Sequence, residues 1–451
     1  MKKIMTYNKL RLFFLGTASL FMLCLSSCEL DEVPNKNAPT LESFINGASL
    51  DDLRLLATGL ESVLRFDMEF HYWTVSILGR EYYDLRGTDP RYTGELLGAG
   101  AGAGSLDNNG FLTTRAFARH YKIVRNADNL IIATENSRAG LSDAQKRGLY
   151  GYAKTLKAYG LLSEAIRQFE NGIRLDTRDP DNLGPFTSSY QQSLEGILAI
   201  LDDAENDLAN AGNTFAFFLS SGFNGFNTPG TFLTFNRALY ARVMLYAGRS
   251  KADIITQLNK SFMDLNGSMN TGVYHVFGTT GNDIRNPLFN TPNVTLYTVH
   301  PSFRADAEAN DQRVANKTTP LDPNLVTLPV VLDGLSGDVQ VTIWDSPLDP
   351  VGIIRNEELI LIYAEAQIGV DNVVAAQALN AVRNAAGLPN YPGPGDDASL
   401  LNEVIKQRRY SLFGEGHRWV DMRRFNRLGE LPLDRPGDEV FDRFPRPILE
   451  L

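Results

Sequence analysis

The chain has 451 residues, and its 43 basic and 53 acidic side chains give a net charge of −10. Such an acidic surface repels phosphate backbones, which argues against a nucleic-acid partner. The chain is long enough to bury a sizeable core without cross-links. Its only cysteines, Cys24 and Cys28, both lie near the N-terminus, and we expect no disulfide.

The N-terminal residues have the pattern of a bacterial lipoprotein signal. Four basic residues precede the apolar run Leu12–Leu25, which is shorter than the roughly 20 residues that span a membrane. Leu25-Ser26-Ser27-Cys28 follows, so we predict that residues 1–27 are a signal peptide and that Cys28 becomes the lipidated first residue. Cleavage would lower the net charge to −14, because four basic and no acidic residues leave. The alternatives are an ordinary secretory signal and an uncleaved anchor.

Residues 28–40 are polar, acidic and contain proline, which predicts a flexible tether. Residues 41–451 then form the body of the protein. We divide it into an N-terminal part, 41–265, a loop-rich part, 266–350, and a C-terminal part, 351–451.

Helical periodicity dominates the N-terminal part. The helices that we predict are Asp51–Arg65, Phe117–Thr134, Leu149–Phe169 with Ser142 as a preceding N-cap, Tyr190–Leu208 and Phe235–Ala247. Small and bulky residues alternate along them, as in antiparallel pairs of the tetratricopeptide type, although no clean 34-residue repeat is present. The fold class is therefore mostly α: tetratricopeptide-like helical pairs in one globular domain, with long irregular loops and minor β content.

The loop-rich part contrasts with these helices. Residues 211–235 and 266–350 are rich in Gly, Asn, Thr, Pro and aromatic residues, and Val339–Trp344 alternates as a strand does. Long irregular segments of this kind often carry function. The alternating run Gly98–Gly104 lacks the spacing of a phosphate-binding loop, and we interpret it as a mobile loop.

Three further helices are predicted in the C-terminal part, at Ile353–Gly369, Ala375–Ala386 and Leu400–Leu412. If the next residues are also helical, Glu415, Arg418 and Asp421 share one face. An arginine between two acids would favour bidentate ion pairs that lock the structure. No nucleophile accompanies a base here.

At these residues the chain resembles the SusD/RagB family of Bacteroidetes outer-membrane lipoproteins. The resemblance is carried by Arg355 to Leu359, Leu361 to Ala366, Asn380 to Leu388, Gln407 to Arg409 and Glu415 to Arg424, with Gln407 and Asn384 departing from the usual residues. It implies a set of structural motif residues, namely Arg355, Glu358, Glu365, Arg408, Glu415, Arg418, Trp419, Asp421 and Arg424.

The resemblance implies a helical core and a surface-exposed outer-membrane lipoprotein. Such a protein caps a SusC-like TonB-dependent transporter and delivers a glycan or peptide into it, without catalysis or a cofactor. The competing hypotheses are a secreted polysaccharide-degrading enzyme, which needs two carboxylates across a cleft, and a helical scaffold that binds only protein.

Sugar rings stack on Trp and Tyr while their hydroxyl groups need polar partners. The ligand-binding candidates are therefore loop aromatics beside polar residues: Tyr82, Tyr83, Asp84, Arg86 and Tyr92 first, then Tyr297 and Trp344. Packing, or contact with the transporter, is the alternative for each.

Other residues are assigned no binding role. We interpret Trp73, and the phenylalanines between 215 and 235, as packing residues. Asp306, Glu308 and Asp311 match no calcium loop and indicate a solvated acidic turn. The five histidines form no His-x-x-x-His pair, so no metal site is expected.

Overall fold

The computed structural model describes residues 45–99, 105–281 and 283–451. The predicted signal peptide, Cys28 and the tether 28–40 lie outside these residues, as does most of the Gly98–Gly104 run. Within the described ranges, no helix has both the length and the apolar character that crossing a membrane requires.

Seven helices lie between residues 50 and 260. They are α1 (Leu50–Val63), α2 (Met68–Leu78), α3 (Phe111–Glu135), α4 (Asp143–Gln168), α5 (Tyr190–Ala209), α6 (Pro229–Tyr246) and α7 (Lys251–Lys260). From α3 onward each helix packs against the next one in the chain. The predicted helical pairs are thus confirmed.

Local sequence explains where the helices begin and how closely they pack. Ser142 caps α4 as predicted: its Oγ accepts from the Gln145 N–H at 3.3 Å, and the Gln145 side chain accepts from the Ser142 N–H at 3.0 Å. Gly151 lies where α4 crosses α5, and a Cβ there would come within 2.5 Å of the Leu208 side chain. The small residues of the pattern therefore serve close helix approach.

The middle of the chain forms short strands. They are β1 (Tyr82–Asp84), β2 (Gly272–His275), β3 (Tyr297–Val299), β4 (Thr318–Pro320), β5 (Val330–Leu332), β6 (Leu335–Gly337), β7 (Val339–Val341) and β8 (Val351–Arg355). One antiparallel sheet has the order β1-β3-β7-β4, while β2 pairs with β8 and β5 with β6. The predicted strand Val339–Trp344 is confirmed for Val339–Val341, and residues 342–344 lie outside it. Two short helices, α8 (Pro301–Ala305) and α9 (Gln312–Lys317), lie between the strands.

The C-terminal part contributes α10 (Asn356–Gln367), α11 (Asn372–Ala385), α12 (Asp397–Ser411) and α13 (Arg418–Arg424). Helix α10 packs against α6 and α7 and also against α11 and α12. It therefore joins the two helical parts of the protein.

Two predictions about this part were wrong. Helix α10 does not begin at Ile353, because Ile353–Arg355 is extended and pairs with β2. Glu415 is not on a helix with Arg418 and Asp421, because Gly414 and Gly416 adopt φ of 76° and 83°. This left-handed backbone turns the chain before α13 begins.

The aromatic packing residues follow the prediction with two exceptions. Most of the phenylalanines between 215 and 235 are buried in the main core, but the Phe218 side chain is 87% exposed. Trp73 is only partly buried, where it packs between two apolar clusters.

Candidate functional site

The motif residues near the C-terminus form buried ion pairs, but the predicted pairing of Arg418 with Glu415 and Asp421 is wrong. Asp421 accepts from the Arg408 Nε at 2.7 Å and from the Arg424 Nε at 2.9 Å. Arg424 also donates to both carboxylate oxygens of Glu365, at 2.5 and 2.7 Å. Arg418 forms no ion pair with any carboxylate of the described ranges. Burial, and then the nearby Arg409, lower the pKa of Arg418 to about 10.

The Arg355–Glu415 pair of the motif lies at the floor of a cleft of about 580 Å³, which we call the Trp344 cleft. Trp344 and Tyr274 form apolar parts of its wall. Helix α9, the loop 343–350 and strand β8 supply most of the remainder. The cleft therefore lies where the loop-rich part meets the C-terminal motif.

The two aromatic residues are held differently. Trp344 belongs to a buried cluster with Tyr72 and Val351 and is only 6% exposed, so it supplies little open surface to the cleft. Tyr274 lies on β2, is partly exposed, and donates its hydroxyl to the Asn270 carbonyl oxygen. The exposed part of the Tyr274 ring suits the apolar C–H face of a sugar ring.

Arg355 organises the floor. Its Nη2 lies 2.6 Å from the Glu415 Oε1, and its Nη1 lies 2.7 Å from the Glu357 Oε2. Burial alone would raise the pKa of Glu357, but Arg355 and Lys317 hold it below its ordinary value. Burial lowers the pKa of Lys317, and the carboxylates of Glu415 and Glu357 partly oppose this shift. Both carboxylates are thus engaged with cations of the protein itself.

The rim carries neutral polar groups. Asn270 and Asn316 line the cleft and are exposed, and their side-chain amides make no hydrogen bond with any residue that the structure describes. Each amide offers two donors and an acceptor to a ligand. Asp349, also at the rim, accepts from the Ser346 N–H at 2.8 Å.

A second open cleft, of about 690 Å³, lies around α8 and α9. Its wall contains Arg304, Glu308 and Thr319 but no aromatic ring. The Trp344 cleft therefore fits the chemistry of sugar binding better.

The early candidates lie in a different place and are mostly buried. Strand pairing places Tyr82 opposite Val299 and Asp84 opposite Tyr297, so the structure brings the early stretch and Tyr297 together. Tyr82, Tyr83, Tyr92 and Tyr297 are all at most 6% exposed. Their burial favours the packing interpretation, and a ligand contact at these residues stays a prediction.

Arg86 occupies the space between these rings. Its guanidinium carbon lies 4.4 Å from the centroid of the Tyr297 ring, 5.0 Å from that of Trp73 and 5.5 Å from that of Tyr92. Asp84 holds it through two hydrogen bonds, of 2.9 and 2.7 Å. The space between the rings of Tyr297, Trp73 and Tyr92 is thus filled by a cation of the protein itself.

The predicted acidic turn is not simply solvated. Glu308 accepts from Arg383 at 2.7 and 2.8 Å, and this pairing lowers the pKa of Glu308 to about 2. Asp311 is buried against Arg313, and Asp306 pairs with Arg409. Among the described residues no cluster of His, Cys, Asp or Glu has the arrangement of a metal site.

Of the ligand-binding candidates, only Trp344 lines the Trp344 cleft, together with Arg355 and Glu415 from the structural motif. Tyr274, Asn270 and Asn316 were missed, because a single tyrosine in a four-residue strand and two asparagines in turns carry no pattern. Strand alternation around Gly272 was the one signal available for Tyr274.

Comparison with known proteins gives one family match and many structural ones. Residues 349–442 match the model of the SusD family (SusD/RagB). No curated protein sequence matches the chain significantly.

The fold is shared with three solved structures. A SusD superfamily protein from Bacteroides vulgatus has a TM-score of 0.65 at 14% identity, with 89% of this chain and 96% of that chain covered. A laminarin-binding SusD-like protein has 0.62 at 16%, covering 90% and 97%. Surface glycan-binding protein A from Bacteroides thetaiotaomicron, in complex with laminarihexaose, has 0.62 at 14%, covering 84% and 91%. At these identities the likeness establishes the fold.

Proposed function

We propose that this chain, a SusD/RagB-like protein by its C-terminal motif and its fold, captures a glycan and delivers it to a SusC-like TonB-dependent transporter. Two structures of the same fold are described as binding laminarin or laminarihexaose, which supports a carbohydrate ligand. The chain acts as a binding protein in this proposal and performs no chemical step.

The observation that carries the proposal is the composition of the Trp344 cleft. The partly exposed ring of Tyr274 lies in the same cleft as the largely buried Trp344 and the unengaged amides of Asn270 and Asn316. A pyranose presents the complementary surface, with an apolar C–H face and hydroxyl groups around its edge. A volume of about 580 Å³ is within the usual range of ligand sites.

The two floor carboxylates argue against the hydrolase hypothesis. A glycosidase needs one carboxylic acid whose pKa is raised so that it can protonate the leaving oxygen. Glu357 and Glu415 instead share one guanidinium, and the pKa of Glu357 is lowered. We therefore favour retention of an intact ligand over its cleavage.

Location and partner complete the proposal. The lipoprotein signal that ends at Cys28 would anchor the mature chain in the outer membrane, facing the cell exterior. The tether 28–40 would let the body move over the transporter without being lost from the surface. Peptide capture by the same arrangement is the alternative.

The test is direct binding by soluble protein that begins at Glu29. We expect calorimetric titration against oligosaccharides, beginning with laminarihexaose, to identify a glycan that binds. A panel of peptides serves as the competing ligand class. Binding of peptides together with failure of every glycan would contradict the proposal, and hydrolysis of a bound glycan would replace it with the enzyme hypothesis.

A further inference from the structure

We infer that the Trp344 cleft selects uncharged glycans and rejects uronic-acid or sulfated ones. The inference rests on the proposed function, since it concerns which glycans the same cleft accepts. It follows from how the charges of the cleft are distributed among its own residues.

Arg355, the cation at the floor of the cleft, is already neutralised. Arg355 donates to Glu415 through Nη2 at 2.6 Å and Nε at 3.3 Å, to Glu357 through Nη1 at 2.7 Å, and to the Ser411 carbonyl at 3.2 Å. Its guanidinium group therefore faces two carboxylates of the protein. A ligand carboxylate would have to displace one of them.

The other two cations are engaged as well. Lys317 donates to the carbonyl oxygens of Ser411 at 2.6 Å and Tyr410 at 3.0 Å, and it lies 3.9 Å from the Glu415 carboxylate. Arg313 donates twice to Asp311, at 2.9 and 2.7 Å, and once to the Ser411 hydroxyl. Each cation that lines the cleft thus has partners on the described chain.

The charge that remains at the rim is negative. Asp349 lines the cleft, pairs with no cation among the described residues, and binds a backbone N–H instead. Seating a carboxylate or sulfate here would remove part of its water without supplying a counter-charge, which is unfavourable. The acidic net charge of the whole chain opposes anions further, by long-range repulsion.

A neutral sugar meets none of these obstacles. Its hydroxyl groups can pair with Asn270 and Asn316, whose amides are uncharged, and its ring face can pack on the partly exposed Tyr274. Anionic glycans are thus disfavoured by repulsion and by the absence of a spare cation among the described lining residues. The contacts that give affinity are the same for neutral and anionic glycans.

The first experiment is a panel titrated with soluble protein at pH 7 and low salt. Its neutral members are laminarin, starch and galactomannan, and its anionic members are polygalacturonate, alginate and chondroitin sulfate. We expect binding among the neutral polymers only. Binding of any anionic polymer overturns the inference while leaving glycan capture intact, and failure of the whole panel counts against the proposed function and the inference together.

The second experiment uses one backbone with and without charge. The neutral polymer that binds is oxidised selectively at C6, which converts each CH₂OH to a carboxylate, and we expect at least tenfold weaker binding. Asp349→Asn should reduce that difference in affinity several-fold. Asp181→Asn, which changes the net charge equally at an exposed position outside the cleft, should leave it unchanged. Equal or tighter binding of the oxidised form by the unmodified protein would overturn the inference.

Discussion

Arg242 on α6 and Glu358 on α10 form a bidentate ion pair in the interior. The Nε lies 2.6 Å from Oε1 and the Nη2 lies 2.5 Å from Oε2, between residues 116 positions apart in the chain. Arg242 also donates to the Ile353 carbonyl at 2.8 Å, just before α10 begins. The pair therefore fixes the C-terminal motif onto the N-terminal helical array.

Removing the charge of Glu358 should destabilise the fold. Glu358→Gln leaves the buried Arg242 without a counter-charge, and breaking such a pair from one side costs about 3–5 kcal/mol of unfolding free energy. Urea denaturation of the soluble protein measures it. Glu195→Gln is the matched control, because Glu195 pairs with Arg249 at an exposed site, where a loss of no more than about 1 kcal/mol is expected. Equal effects of the two substitutions would contradict the structural role of the buried pair.

Glu81 should make stability depend on pH. Burial raises the pKa of Glu81 to about 7, although its Oε1 accepts from the Gly414 N–H at 3.1 Å. A raised pKa means that the stability contribution is complete below the ordinary value of 4.5 and is lost as pH rises towards 7. Glu81→Gln removes this titration while keeping the acceptor.

The variant and the unmodified protein should therefore be compared at pH 4.5 and pH 8. Between these values the unfolding free energy of Glu81→Gln should rise relative to the unmodified protein by on the order of 3 kcal/mol, since one pKa unit corresponds to about 1.4 kcal/mol. Comparing the two proteins at each pH cancels the other titrating groups. A difference that is the same at both pH values would show that Glu81 does not titrate in this range.

The fold was largely predictable because its helices have apolar spacing and capping residues that can be recognised in the local sequence. Apolar spacing and the Ser142 cap fixed α4 to within a few residues of its observed bounds. The start of α10 was misplaced because Ile353 and Ile354 continue the apolar pattern, and only pairing with a strand some 80 residues earlier makes them extended. Long-range strand pairing of this kind cannot be recognised from a short stretch of sequence.

The site was less predictable, for the same reason. Glu358 and Glu365 were expected to be structural, yet Arg242 lies in the other half of the chain and no spacing rule connects it to Glu358. Tyr82 and Tyr297 looked like loop aromatics, but strand pairing buries them. Composition identified the right residue types for sugar binding, while topology decided which of them reach a cleft.

The packing interpretation of Tyr297 can be tested by removing only its hydroxyl oxygen. Its hydroxyl is buried without a hydrogen-bond partner among the described residues. Tyr297→Phe should therefore leave stability unchanged or raise it by up to about 1 kcal/mol, because a buried unpaired polar group is unfavourable. Glycan affinity should not change. Loss of affinity without loss of stability would instead assign Tyr297 to the ligand site.

The rim amides should contribute directly to affinity. We expect Asn270→Ala combined with Asn316→Ala to weaken glycan binding about tenfold, since each hydrogen bond contributes roughly 0.5–1.5 kcal/mol and 1.4 kcal/mol corresponds to a factor of ten. Both residues are exposed, so the fold should tolerate the change. Asn224→Ala, at an exposed turn outside the cleft, is the control. Unchanged affinity in the double variant would place the ligand elsewhere.

Anchoring should depend on one of the two cysteines. Cys28→Ala removes the thiol that we predict to be lipidated, so the variant should incorporate no labelled fatty acid and should leave the membrane fraction. Cys24→Ala is the matched control: it lies inside the predicted signal peptide and should leave labelling and membrane association unchanged. Label retained by Cys28→Ala would refute the lipoprotein assignment. Label lost from Cys24→Ala would show that the cysteine roles are reversed, and the tether would then begin four residues earlier.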